Sequence, residues 1–436
     1  MGMHWLLDCL YAGAGLTATP YWLWKLPQAR RYRAGLLERF GLAPRMDPDT
    51  PRLWIHAASV GEAGIPRTLV QQFRLSHADW QVVFSTFTDT GASRLRELYP
   101  DCPIFYWPLD FSFAVEKALQ RVRPSAVALV EQELWPNFLC ACGRYGVPVA
   151  VVNGRISASS ARLARGLCRF FPDYWDALKL CCARSEDDAG RFRDGGLDAD
   201  RIEVTGSLKY DTLPEEADPD AVERLRERFG ISPDQKVLVG GSIHPGEEEI
   251  LCDVFVGLRE QFPSLRLLLA PRHIERAPAV ASTVRGRKLP LVQKSRLDAG
   301  QQEAGGDEVI LVDTIGDLVD CYGLADCVFV GRSLVPPGGG QNMMEPAALG
   351  KPVLVGPHTG NFEPEMRYLR RRDAVRVVDG PGELAGACRE LLSDPERAEA
   401  LGQRARKAVQ ESRGATPTTL RLLEGMLRQQ GLLPGE

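Results

Sequence analysis

The sequence predicts an α/β protein of two doubly wound, parallel-sheet domains that face each other across a cleft, behind an N-terminal membrane-anchor helix. Three observations carry the prediction. The chain has 436 residues, more than one hydrophobic core usually serves. Its two halves repeat one rhythm of short apolar run, glycine or polar loop, then helical pattern, as parallel strands with right-handed crossovers do. Between the halves, residues 211–220 (DTLPEEADPD) are acidic, carry prolines and lack apolar periodicity, which marks a linker.

Taken in order, residues 1–25 come first. Residues 1–24 hold a single charge, Asp8, among Leu, Ala, Tyr and Trp, a length that can cross or lie in a bilayer. Lys25, Arg30, Arg31 and Arg33 follow, which holds the remainder in the cytoplasm, and Trp22 and Trp24 suit the interface. In the first domain, 26–210, the strand runs are 53–56, 81–85, 126–130 and 148–152, with helical stretches at 92–99 and 114–122. In the second, 221–394, they are 236–240, 265–270, 309–312, 327–330 and 352–355, with helices at 222–229, 247–261 and 383–392. The tail, 395–436, is charged and helical in pattern and is expected to pack back over the domain junction.

Composition narrows the function. Hydrophobic residues make up 44% and charged residues 25%, which is the balance of a folded protein. A net charge of −4 argues against a general nucleic-acid binder while leaving room for local basic sites. The 11 cysteines form no CxxC pair and read as small apolar filler in a reducing compartment.

In open parallel sheets ligands bind at the carboxyl ends of the strands, so the loops there are the candidates. After the first strand, residues 57–62 (AASVGE) place Glu62 at a helix start. It reads equally as a general base or as a complement to the helix dipole. Residues 331–345 (GRSLVPPGGGQNMME) put three glycines before a helix beginning near Asn342, a nest of free N–H groups suited to a phosphate; a glycine loop without a ligand fits as well. Glu345 in its first turn can bond ribose hydroxyls. Ser242 and His244 lie in one further loop, Arg272 and His273 in another, and His358 in a third. Three of the six histidines thus follow strands of one domain. Carboxylates at metal-ligand spacing are missing, and no DxD follows an apolar strand, since Asp198 and Asp200 lie in a polar turn, so no metal cofactor is indicated.

With these loops placed, the chain resembles the lipid A 3-deoxy-D-manno-octulosonic acid (Kdo) transferases over nearly its whole length. The motifs are 33–41 (RAGLLERFG), 56–62 (HAASVGE), 85–91 (STFTDTG), 106–110 (YWPLD), 131–137 (EQELWPN), 153–157 (NGRIS), 206–211 (GSLKYD), 270–273 (APRH) and 356–362 (GPHTGNF). Each is weak alone; together, in one order, they are specific.

The resemblance implies an inverting enzyme of the GT-B fold, with two Rossmann-like domains, on the cytoplasmic face of a Gram-negative inner membrane. It would transfer Kdo from CMP-Kdo to a lipid A precursor. The family's SxGE glutamate falls on Glu62, taken as the catalytic base. CMP is expected in the second domain among Ser242, His244, Arg272, His273, Gly339, Gly340, Gln341, Asn342 and Glu345, with Lys209 near the hinge facing the donor. The acceptor is expected at Ser59, Gly61, Glu131, Glu133 and Arg155. The chain departs from the family where Gln341 stands for a histidine, Arg332 for a common glycine and Gln132 for a threonine. The alternatives are another GT-B enzyme (a UDP-sugar transferase or an epimerase) or a silent membrane-bound sugar-nucleotide binder.

Overall fold

The structure, a computed structural model, describes residues 7–9, 11–13 and 35–435. Most of the expected anchor, with Trp22 and Trp24, and the following Arg30, Arg31 and Arg33 lie outside the described residues. Among those described, no helix is long and apolar enough to cross a membrane. The chain divides into two compact units, Met1–Thr212 with Arg413–Glu436, and Leu213–Ser412.

The first unit holds a seven-stranded sheet of β1 (Arg52–His56), β2 (Gln81–Thr86), β3 (Ile104–Tyr106), β4 (Ala126–Val130), β5 (Val149–Gly154), β6 (Leu178–Ala183) and β7 (Ile202–Val204). The spatial order is β3-β2-β1-β4-β5-β6-β7, and each pairing is parallel. Parallel strands covered on both faces must be apolar throughout, and β1, β4 and β5 are buried at every position. Alternate residues feed two cores. Trp54, Val127 and Val149 join one, whereas Ile55, Ala128 and Ala150 join the other.

The second unit repeats the plan with β8 (Val237–Ile243), β9 (Arg266–Pro271), β10 (Leu291–Gln293), β11 (Val309–Leu311), β12 (Cys327–Val330), β13 (Val353–Val355) and β14 (Arg376–Val377). Here the order is β10-β11-β9-β8-β12-β13-β14, again parallel. In each sheet the winding reverses beside the first strand, between β1 and β4 and between β8 and β12. Loops leaving those two strands run to opposite faces, which opens a crevice at their carboxyl ends.

Several sequence motifs prove to be joints. Asp110 of YWPLD accepts from the backbone N–H groups of Asn137 (3.1 Å) and Phe138 (2.9 Å), capping the helix Pro136–Arg144 that EQELWPN begins. Asp8, the lone charge near the N-terminus, accepts from Ser112 N–H at 2.9 Å and from the Asn137 amide at 3.1 Å. The tail does not act as one piece. Helix Pro395–Glu411 belongs to the second unit, and helix Ala415–Gln429 to the first. Asp211 of GSLKYD anchors that return, accepting from Gly414 N–H at 2.8 Å and from Thr416 N–H. His77, at the end of helix Arg67–Ser76, pairs with Glu424 of the returning helix at 2.9 Å.

Replacing Asp211 with alanine leaves two N–H groups at a helix start without an acceptor. The expected loss is about 1–2 kcal/mol, seen as a lower urea midpoint for the first unit. An unchanged midpoint contradicts the assignment.

Candidate active site

The loop after β1 folds back on itself. Ser59 precedes the four-residue helix Val60–Ala63, and Glu62 turns toward the start of that loop. Its Oε2 accepts from Ala58 N–H at 2.8 Å and its Oε1 from the Ser59 hydroxyl at 2.9 Å. Burial pushes the Glu62 carboxyl above its ordinary value, more than these two bonds pull it down; Glu131 pushes the same way and Lys209 opposes. Both readings of Glu62 therefore meet in one conformation. It satisfies backbone at a helix start, and its proton is held more tightly than on a solvated glutamate.

Across the winding reversal, the loop after β4 supplies Glu131 and Glu133. Glu131 sits in the left-handed region, at φ 63°, and accepts from Lys209 Nζ at 2.9 Å. Asn153, also left-handed at φ 54°, ends β5 and donates to the same oxygen at 3.4 Å. Asn153 Oδ1 takes the Ser207 hydroxyl (3.2 Å) and Leu208 N–H (3.0 Å), which seats the short helix Leu208–Asp211 and so aims Lys209. Glu133 accepts from Trp135 Nε1 at 2.7 Å and is raised chiefly by burial. Lys209 thus pairs with Glu131 and acts on Glu62 through its charge, while Glu133 is held by Trp135. Arg155 is exposed and binds this group only through its N–H, 3.3 Å from the Glu131 carbonyl.

In the second unit the loops after β8 and β12 are locked by a residue that sequence reading passed over. Glu247 is buried, and its carboxylate accepts four backbone N–H groups: His244 (2.8 Å), Arg332 (2.7 Å), Ser333 (2.9 Å) and Leu334 (3.1 Å). A buried carboxylate is tolerable only when its lone pairs are filled, and these are. Gly331 lets the loops close; a Cβ there would lie 2.5 Å from Ile243 Cα and 2.7 Å from Glu247 Oε2.

The triple-glycine turn then packs on the loop after β13. Its φ angles are 60°, 120° and 79°, and a Cβ on Gly338 would fall 2.2 Å from His358 Cβ. The expected nest of free N–H groups is corrected here. Gly339 N–H donates to His358 O at 3.0 Å and Gly340 N–H to Arg332 O at 2.7 Å, so both are spent holding the turn. The helix that follows is only Met344–Ala348, starting two residues later than expected. Asn342 accepts Met344 N–H at 3.1 Å and donates to Glu345 at 3.0 Å, and burial raises the Glu345 carboxyl.

Around this turn the polar side chains converge. The Gln341 amide lies 3.1 Å from His244 Nε2, and the His244 and His273 rings are 5.9 Å apart, edge to face. Burial lowers the His244 pKa, and the Arg332, His273 and Arg276 charges lower it further, against Glu247. The neutral ring accepts from the amide. Arg272 is exposed and its N–H binds Ile243 O at 3.2 Å, which ties the β9 loop to the end of β8 beside Ser242, itself left-handed at φ 52°. Of the expected donor residues, all but one gather in this unit. Lys209 lies in the first, paired with Glu131. Ser59, Gly61, Glu131 and Glu133 lie on the loops after β1 and β4 that flank the winding reversal.

Comparison with known proteins follows the same division. A family described as 3-Deoxy-D-manno-octulosonic-acid transferase (kdotransferase) matches residues 34–212. A 3-deoxy-D-manno-octulosonic acid transferase of Haemophilus influenzae is 32% identical over 402 residues, 92% of this chain and 93% of the relative. One from Bordetella pertussis is 33% identical over 424 residues, covering 93% and 96%. A crystal structure of a glycosyltransferase from Rickettsia africae shares the fold, at 13% identity and a TM-score of 0.58 over 87% of this chain and 99% of that one.

Two measurements check the geometry. Ser59→Ala removes a bond that favours the ionised form, so carbon-13 NMR should show the Glu62 carboxyl titrating at higher pH; an unmoved titration contradicts the pairing. Glu247→Gln turns an acceptor into a donor facing buried N–H groups. We expect it to cost roughly 1–3 kcal/mol or more, read as a lower melting temperature of the second unit. A variant as stable as the parent would show that those four bonds hold nothing.

Proposed function

The chain belongs to the 3-deoxy-D-manno-octulosonic acid transferase family, and we propose that it moves Kdo from CMP-Kdo to a lipid A precursor with inversion at the anomeric carbon. The observation that carries this reading is the Glu62 carboxylate, half-buried, raised by burial and fixed by Ala58 and Ser59. An acceptor hydroxyl gives its proton to Glu62 as its oxygen bonds to the anomeric carbon. The bond to the phosphate oxygen breaks, and CMP leaves with the electron pair. A base with a raised pKa takes that proton more readily at neutral pH than an ordinary glutamate would.

Donor binding falls to the second unit. The exposed guanidinium of Arg272 and the imidazoles of His244 and His273 meet the phosphate and the sugar carboxylate, and Glu345 takes ribose hydroxyls. Ser242, Gly339, Gly340, Gln341 and Asn342 shape the cradle, chiefly by fixing its backbone. The reading calls for no metal, since a single phosphate leaves and cationic side chains can neutralise it. Lys209 acts on the acceptor side, where it pairs with Glu131 and moderates the charge around Glu62.

A lipid acceptor requires the enzyme to work at a membrane, and we assign it to the cytoplasmic face of the inner membrane. An exposed apolar group supports that seat: Leu36, Leu37, Phe40 and Phe113, with the last two rings stacked at 6.4 Å. It adjoins the point where the N-terminal segment docks, through Asp8 on Ser112 and Tyr11 against Phe111 at 5.9 Å. Residues 1–25 would add to it.

The test pairs chemistry with binding. Glu62→Ala should slow transfer by roughly 10²–10⁴-fold with CMP-Kdo and a tetraacylated lipid A precursor, products read by mass, while CMP affinity stays unchanged. Transfer at the parent rate, or a parent enzyme that gives no Kdo-bearing product, rejects the proposal.

A further inference from the structure

Arg332 has no role in the account so far, yet it stands where the donor's charge should fall. It directly follows the central β12 strand and Gly331, at the winding reversal, with a left-handed φ of 55°. Backbone contacts fix it on both sides, its N–H on Glu247 at 2.7 Å and its carbonyl under Gly340 N–H at 2.7 Å. The side chain turns along the glycine turn, and Nε donates to Gly338 O at 2.8 Å. That leaves the two terminal nitrogens. Among the described residues no carboxylate pairs with them and no acceptor takes their hydrogens.

Such an arrangement is unusual for a half-buried arginine, because a guanidinium out of bulk water normally finds an anion. The neighbours do not supply one. Glu247 is filled by four backbone donors, Glu248 pairs with Arg276, and Glu345 lies toward Arg272; the other groups nearby are His244, Gln341 and His273. Burial is the main cause of the lowered His244 pKa, and the Arg332 charge lowers it further, which places the guanidinium beside that ring. The Gly339 and Gly340 N–H groups are already bonded within the turn, and the Arg332 guanidinium is the cation held beside them.

We propose that Arg332 binds the donor's phosphate, its terminal nitrogens forming a pair of charge-assisted bonds while Nε stays on Gly338 O. This rests on the donor reading given above. It makes the glycine turn the holder of a cation rather than the anion site itself.

The test compares a nucleotide with its nucleoside. NMR titration of the full chain with CMP and with cytidine isolates the phosphate, because cytidine lacks it and neither carries the sugar acid. Methionine keeps the side-chain length and the same left-handed backbone, and the two backbone bonds of residue 332 survive. Arg332→Met should weaken CMP roughly tenfold or more and leave cytidine unchanged, the loss expected for hydrogen bonds to a charged group. Arg332→Lys should recover part of the loss, since it restores the charge without the fork. Equal affinity of Arg332→Met and parent for CMP overturns the proposal, as does an equal weakening of CMP and cytidine, which would mark a purely structural part. A parent chain that binds no CMP instead defeats the donor reading on which this one stands.

Discussion

The constraint on which the rest depends is the reversal of winding in each parallel sheet. A crossover leaving β1 or β8 goes to one face, and the crossover leaving its neighbour goes to the other, so the backbone parts at the strand ends. Parting loops expose N–H and carbonyl groups that the sheet no longer satisfies, and something must fill them. In both units the filler is a glutamate at the start of the following helix. Glu62 does it after β1 and Glu247 after β8.

The two glutamates differ in what surrounds them, and that difference decides their chemistry. Glu247 is fully enclosed and spends its lone pairs on four backbone donors from two loops, so it acts as cement. Glu62 has one backbone donor and one hydroxyl, keeps part of its surface open, and feels Glu131 nearby. It can release one partner and take a proton. Around them the loops differ in makeup: Glu131, Glu133 and Lys209 in the first unit, and Arg272, Arg332, His244 and His273 beside Glu345 in the second. On the proposed reading, the anionic donor binds the second and the hydroxyl that loses its proton meets the first.

Much of this was legible in the sequence because buried parallel strands are nearly continuous apolar runs. The central strands β1, β2, β4, β5, β8, β9 and β12 fall where those runs predict. Strands β3, β7, β10 and β14 were missed: they are short edge strands with half-exposed or exposed positions, and β6 was missed because Lys179 interrupts its run. The loops that carry the site were found, but their internal bonding was not. Three glycines announce a tight turn without saying whether their N–H groups face a ligand or a neighbouring loop. Glu247 was hidden in a run of three acids at a helix start, where dipole complementarity is explanation enough. Lys209 is expected to face the donor, and only the fold shows that Glu131, 78 positions away in the chain, meets it.

Hydrogen exchange of the intact chain with and without saturating CMP tests the division of labour most directly. The account predicts slower exchange in residues 242–247, 331–342 and 358–361, with residues 57–62 and 131–135 unchanged. Protection confined to the loops after β1 and β4 would contradict it.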